Sequence, residues 1–164
     1  MNPQLLIRAA TLADQAAIWG ILEPVIRAGE TYALPADLSE AEAITYWAGP
    51  GREVFVAEHD GRVVGTYFLC ANQRGGGDHV ANAAYATDPA MRGRGIARRM
   101  ADHSLAVATR RGFSAMQFNF VVSSNKDAVH LWQSLGFEVV GRLSGAFRHP
   151  QLGPVDALVM FRRL

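Results

Sequence analysis

The stretch DPAMRGRGIARR, residues 88 to 99, constrains this chain more than any other. Pro89 keeps Asp88 out of helical geometry, so the apolar strand before it must end there. Gly93 and Gly95 carry no Cβ, so the backbone turns sharply and a ligand comes close. The helix that follows leaves its first N–H groups unpaired, and these donors with the helix dipole favour an anion. Arg92, Arg94, Arg98 and Arg99 add positive charge at the same spot. Strand, anion cradle and helix in direct succession call for an α/β fold, and the cradle suits a pyrophosphate. It is not the nucleotide P-loop, since no Gly-Lys-Ser/Thr follows. Nor is it the dinucleotide fingerprint, whose third small residue and downstream acidic partner are missing.

The rest of the chain supplies elements around that turn. LLIRAA (5–10) reads as a first strand. Thr11 and Asp14 form a capping pair before a helix striped with Ile18, Leu22, Val25 and Ile26, which Gly29 ends. GETYALPADL (29–38) reads as a loop. Ser39 with Glu42 is a capping box opening a second helix through Trp47. Three strands are predicted at 54–59, 62–70 and 79–87, with Asp60-Gly61 turning between the first two and NQRGGGD (72–78) looping before the third. A helix runs from Gly95 to Arg111, capped by Gly112. In AMQFNFVV (115–122), Met116, Phe118, Phe120 and Val122 share one face, and Gln117 and Asn119 the other. A short helix (125–135) and two strands (137–142, 155–163) close the chain, with SGAFRHP as a loop between the strands. This gives the order β-α-α-β-β-β-α-β-α-β-β, an α/β mixture with a largely antiparallel front half.

Composition limits the setting. The 164 residues fit one domain, 1–164, and 49% apolar content supports a full core without metal or disulfide. A net charge of +1 gives no general drive toward nucleic acid or membrane. Cys70 is the only cysteine, so no intrachain disulfide forms; a core position and a reducing cytoplasm are expected. The N-terminus lacks the pattern of a signal peptide, and no window approaches the roughly 20 apolar residues of a membrane span. His103 and His130 have no ligand partner at suitable spacing, so no metal is expected. Trp19 and Trp47 lie on amphipathic helices as packing residues.

Asparagine is disfavoured in strands, yet Asn82 and Asn119 both fall inside predicted ones. A buried amide needs partners, which a pocket for a polar substrate supplies. Asn125 opens a helix and is equally suited to plain N-capping.

Two blocks carry a resemblance. Arg92-Gly93-Arg94-Gly95-Ile96-Ala97 is similar to the Arg/Gln-x-x-Gly-x-Gly/Ala motif of the GCN5-related N-acetyltransferases. Residues 125 to 137, NKDAVHLWQSLGF, resemble that family's Asn-x-x-Ala-x-x-Leu-Tyr-x-x-x-Gly-Phe segment. The likeness covers nearly the whole chain. It implies a single-domain fold with a mixed, mostly antiparallel sheet of about seven strands flanked by about four helices. It implies acetyl-CoA as co-substrate, its pyrophosphate on residues 92 to 97. Tyr85, Ala86 and Thr87 would offer backbone groups to the pantetheine and the thioester carbonyl. Asn125 is included among the cofactor contacts.

The reaction implied is direct attack by a small-molecule amine. A lysine-like amine has a pKa of about 10.4, so a base is needed, and Glu30, Asp78 and His79 are the candidates. Trp132 stands where the family often has the tyrosine that protonates the leaving thiolate; Tyr85, Tyr32 or water would replace it. NFVVSSN further resembles the branch that acetylates proline analogues such as azetidine-2-carboxylate. That likeness implies that Asn125 grips a carboxylate, Asn119 shapes the pocket and Asn82 positions the reacting carbonyl. GETYALP is similar to the phosphinothricin-type enzymes, which puts Glu30 and Tyr32 in the acceptor pocket. Phe147, Arg148 and His149 are secondary candidates for its lining. Peptide or antibiotic acetylation, and an acetyl-CoA-binding regulator without turnover, are the alternatives. A homodimer is the assembly the family suggests.

Overall fold

Glycines and caps divide the chain into seven strands and four helices, described over residues 5–164 in a computed structural model. The signal-peptide reading extends onto residues 1–4, which lie outside the described residues. In chain order the elements are β1 (Leu5–Ala9), α1 (Gln15–Ala28), α2 (Glu40–Trp47), β2 (Glu53–His59), β3 (Arg62–Ala71) and β4 (Val80–Thr87). They continue with α3 (Ile96–Arg110), β5 (Ala115–Val122), α4 (Lys126–Ser134), β6 (Glu138–His149) and β7 (Gly153–Arg163). The order expected from the sequence holds. Gly29 ends α1 with φ 66°, and Ser39 and Glu42 close a reciprocal capping box on α2. Asp60 and Gly61 both take positive φ, the requirement of a tight hairpin between β2 and β3.

The strands form one mixed sheet in the order β1-β2-β3-β4-β5-β7-β6. Every neighbouring pair is antiparallel except β4 and β5, which α3 joins in parallel. That one parallel pair is short. Only Val80↔Ala115 and Ala81↔Met116 are in register, and beyond them the two strands diverge.

Helices cover both faces. On one, Ile96, Met100 and Leu105 of α3 pack against Tyr67, Leu69 and Met116. On the other, Leu22 and Ile26 of α1 and Trp47 of α2 pack against Val56 and Phe68. Full burial of each large apolar side chain is worth about 1.5–3 kcal/mol. Trp47 is buried without losing its hydrogen bond, because its Nε1 donates to Thr66 Oγ1 at 3.1 Å. No helix among the described residues is long and apolar enough to cross a membrane.

Two local expectations are corrected. The run SGAFRHP is not a loop: residues 143 to 149 continue β6, with a register shift between Leu143 and Phe147. Phe147 is buried there against Phe120, outside the cavity described below, and Arg148 and His149 also lie outside its lining. The alternation in β5 also breaks. A bulge between Phe118 and Val121 turns Phe120 off the core face and puts Val121 on it.

Candidate active site

The glycine-arginine turn has the form of an open cradle. Gly93 and Gly95 take φ of 75° and 72°, and no atom lies within 4 Å of where a Cβ would stand on either. The first backbone bond of α3 runs from Arg99 N to Gly95 O at 3.1 Å. The amides of residues 93 to 98 therefore donate to no protein acceptor among the described residues. Arg92 and Arg94 are exposed beside them and make no ion pair among the described residues. Asp88, the nearby acid, is held by Arg62 and by the amide of Ala90. Its charge is thus offset, and the cradle stays cationic. The residues present fit a pyrophosphate: free amides, a helix N-terminus, guanidiniums and no Cβ in the way.

The divergence of β4 from β5 opens the second part of the site. Asn82 sits where the strands part, and its Nδ2 donates across the gap to Gln117 O at 2.9 Å. Its Oδ1 accepts from no protein donor among the described residues. Beyond this bridge lies a cavity of about 270 Å³. Asn82 and Tyr85 line one side, and Phe118, Asn119, Asn125 and Trp132 the other. Tyr32, Tyr46 and Phe68 close it from the α1–α2 face.

The three asparagines singled out in the sequence thus converge on one cavity. Asn125 Oδ1 caps α4 by accepting from Ala128 N at 3.3 Å, and its Nδ2 donates to no protein acceptor among the described residues. Asn119 is held in a chain of amides: it accepts from Gln117 Nε2 at 2.8 Å and donates to Asn72 Oδ1 at 2.6 Å. The Tyr32 hydroxyl donates to the carbonyl of Tyr85, tying the acceptor loop to β4. The Tyr85 hydroxyl turns into the core, 2.6 Å from Ser104 Oγ, while its ring lies against Trp132 with centroids 5.0 Å apart. Burial raises the pKa of both tyrosines well above the ordinary phenol value, so both stay neutral. The Trp132 indole N–H has no protein acceptor among the described residues.

Glu30 is exposed, one residue before the lining residue Thr31, and does not itself line the cavity. Asp78 and His79 are exposed at the far end of β4 and also lie outside the lining. No Asp, Glu, His, Lys or Arg lines the cavity. Sequence reasoning missed Tyr46 and Phe68, which carry no local motif and reach the site through tertiary packing. It also missed Arg52. The Arg52 guanidinium rests over the rings of Tyr46 and Phe68, 4.3 and 4.2 Å from their centroids, and donates to the carbonyl of Tyr46.

Comparison with known proteins agrees with this geometry. Residues 23–137 match the family model described as Acetyltransferase (GNAT) family. A curated relative, N-acetyltransferase aca1 of Schizosaccharomyces pombe, is 26% identical over 151 residues, covering 82% of this chain and 72% of its own length. A GCN5-related N-acetyltransferase structure from Kribbella flavida is 42% identical, with TM-score 0.93 and 98% of each chain covered. A phosphinothricin acetyltransferase from Sinorhizobium meliloti, solved with AcCoA, shares the fold at TM-score 0.86 and 24% identity, over 98% of this chain and 88% of its own.

Proposed function

The chain belongs to the acetyltransferase (GNAT) family, and from that premise we propose that it carries acetyl from acetyl-CoA to the amine of a small amino acid or amino-acid analogue. One observation carries the acceptor class: a cavity of about 270 Å³ in which three asparagine amides meet aromatic rings at the parting of β4 and β5. That volume suits an acceptor of amino-acid size.

Acetyl-CoA supplies an activated thioester, and the chain supplies its place. The pyrophosphate lies on the amides of residues 93 to 98, with Arg92, Gly93, Arg94, Gly95, Ile96 and Ala97 forming the cradle. Backbone groups of Tyr85, Ala86 and Thr87 flank the pantetheine and the carbonyl. Preorganised amides of this kind stabilise charge developing on the carbonyl oxygen without reorganising. Asn82 is the positioning group for the acceptor. Its Oδ1 accepts a hydrogen bond from the amine, and its bond to Gln117 O fixes the side chain. An amide oxygen orients the amine but does not take its proton. Glu30, exposed one residue before the lining residue Thr31, is the proposed base acting through water, and the amine attacks as the free base. Nitrogen attacks the carbonyl carbon, the C–S bond breaks, and the thiolate recovers a proton from solvent or from the new amide's excess proton.

Asn125 offers Nδ2 to the acceptor's polar group, Asn119 shapes the wall, and Tyr32 holds the loop over it. The cytoplasm is the proposed setting. A homodimer is the proposed assembly, with exposed Val139, Val140 and Leu143 on edge strand β6 as the surface to cover.

Thiol release from acetyl-CoA tests the reading. The panel is azetidine-2-carboxylate, cis-4-hydroxyproline, phosphinothricin, methionine sulfoximine, a polyamine, an aminoglycoside and a short peptide. Turnover with the amino-acid analogues is expected. Turnover with the polyamine, aminoglycoside or peptide alone overturns the acceptor class. Tight acetyl-CoA binding with no turnover favours a regulator.

A further inference from the structure

A carboxylate entering this cavity loses water and meets only neutral groups on the lining. Asn125 Nδ2 and Asn82 offer amide donors, which do not balance a full negative charge. A cation stands just behind the wall. Arg52 is half-buried just before β2, its guanidinium against the faces of Tyr46 and Phe68, both of which line the cavity. Glu53 is in antiparallel register with Leu69, so Arg52, one residue earlier, stands opposite Cys70. Cys70 is the cross-strand partner of Asn82, so both side chains stand on one face, about 5 Å apart at Cβ. Arg52 is therefore one cross-strand step from the residue that positions the amine.

Its charge is not otherwise used. Among the described residues Arg52 forms no ion pair. The neighbouring acids are committed elsewhere: Glu53 to Arg111 at 2.8 Å, and Glu42 to its capping box with Ser39. One bond holds Arg52, to the carbonyl of Tyr46. A guanidinium has five donors in a planar fork, so a single carbonyl leaves most of them free. The aromatic faces orient the fork without neutralising it.

We propose that Arg52 is the anion anchor of the acceptor site, taking the carboxylate of the amino acid whose amine Asn82 positions. This rests on the acceptor class proposed above. It makes the substrate a free amino acid or analogue with an unblocked carboxylate. Esters, amides and peptide-linked residues are poor acceptors.

The test pairs azetidine-2-carboxylate with azetidine-2-carboxamide in wild type, Arg52→Gln, Arg52→Lys and Asn125→Ala. Wild type should prefer the acid. Arg52→Gln should raise KM for the acid by roughly ten- to a hundred-fold, the range for a lost charge-assisted hydrogen bond. It should leave kcat for the acid, and KM for the carboxamide and acetyl-CoA, within about three-fold. Arg52→Lys should fall between, since an ammonium lacks the fork. A structural role alone would move acid and amide together. Equal use of acid and amide by wild type overturns the anchor, whatever the variants do. So does a preference lost in Asn125→Ala and kept in Arg52→Gln. Both outcomes leave the acceptor class standing. Acetylation of neither probe, with acetyl-CoA bound, overturns the acceptor class and the anchor with it.

Discussion

Asp14 is the residue where charge and fold are most tightly joined. It is 6% exposed, accepts from the Thr11 amide at 2.7 Å and pairs with both terminal nitrogens of Arg8 at 2.9 Å. The Arg8 guanidinium holds its carboxyl far below the usual carboxylate range. A depressed pKa means stability that is fully present above the unfolded value near 3.9 and is lost as pH falls toward the folded one. Asp14→Asn keeps the shape and removes the charge, and Arg8 is partly exposed, so the loss is about 2 kcal/mol. A melting midpoint lower by about 4–8 °C at pH 7 follows for a chain of this size. Between pH 5 and 2 the wild-type midpoint should drop more steeply than that of the variant; parallel curves would remove Asp14 from the account. A second pH effect belongs to the site. Tyr32 and Tyr85 stay neutral, and the lining holds no carboxylate, imidazole, ammonium or guanidinium. The value of kcat/KM should therefore rise about ten-fold per pH unit up to the pKa of the acceptor amine. It should move with that pKa when the acceptor is changed, as stopped-time thiol assays across two amines would read.

Among the elements, the turn into α3 carries the sharpest consequence. Gly95→Trp places an indole where six free amides converge and forces a left-handed φ on a residue with a Cβ, at a cost of about 1–2 kcal/mol. The fold tolerates that cost, since nothing crowds the position. Acetyl-CoA binding should disappear in calorimetric titration while the circular dichroism spectrum stays native. Unchanged affinity would mean that the pyrophosphate lies elsewhere. This element was legible from sequence because its chemistry is local: Pro89, the glycines and the arginines act within a dozen residues. Asn82 and Asn119 were legible too, as polar residues placed against strand propensity, and Asn125 as a helix cap. The bulge in β5 was not, because a period of two does not reveal an extra residue between Phe118 and Val121. Nor was the length of β6, whose Gly145 at φ 59° reads as a turn until β7 pairs with it. Tyr46 lies on α2, Arg52 in the turn before β2 and Phe68 on β3. Only packing of α2 on the sheet brings Tyr46 and Arg52 to Phe68, so no short window of sequence contains all three.

At the scale of the molecule, the site is a defect in an otherwise continuous sheet. Two core clusters, one on each face, share the strands β2, β3 and β4, so neither half is expected to unfold alone. The weakest seam is the parallel pair, with two registered positions and the Asn82 bridge where five or six would otherwise form. The pantetheine and pyrophosphate proposed to lie along that seam would touch β4, the turn into α3 and α4 at once. A ligand that binds only the folded state stabilises it by RT ln(1 + [L]/Kd), about 2.7 kcal/mol at a hundred times Kd. For a domain of this size that raises the melting midpoint by about 5–10 °C, in one transition with equal calorimetric and van't Hoff enthalpies. Free coenzyme A should give most of the shift, because the cradle and the seam hold the nucleotide and pantetheine arm rather than the acetyl group. The acceptor alone should give much less, since it touches only the cavity. Two separated transitions, with only the later one moved by coenzyme A, would show instead that the seam divides the chain into independent halves.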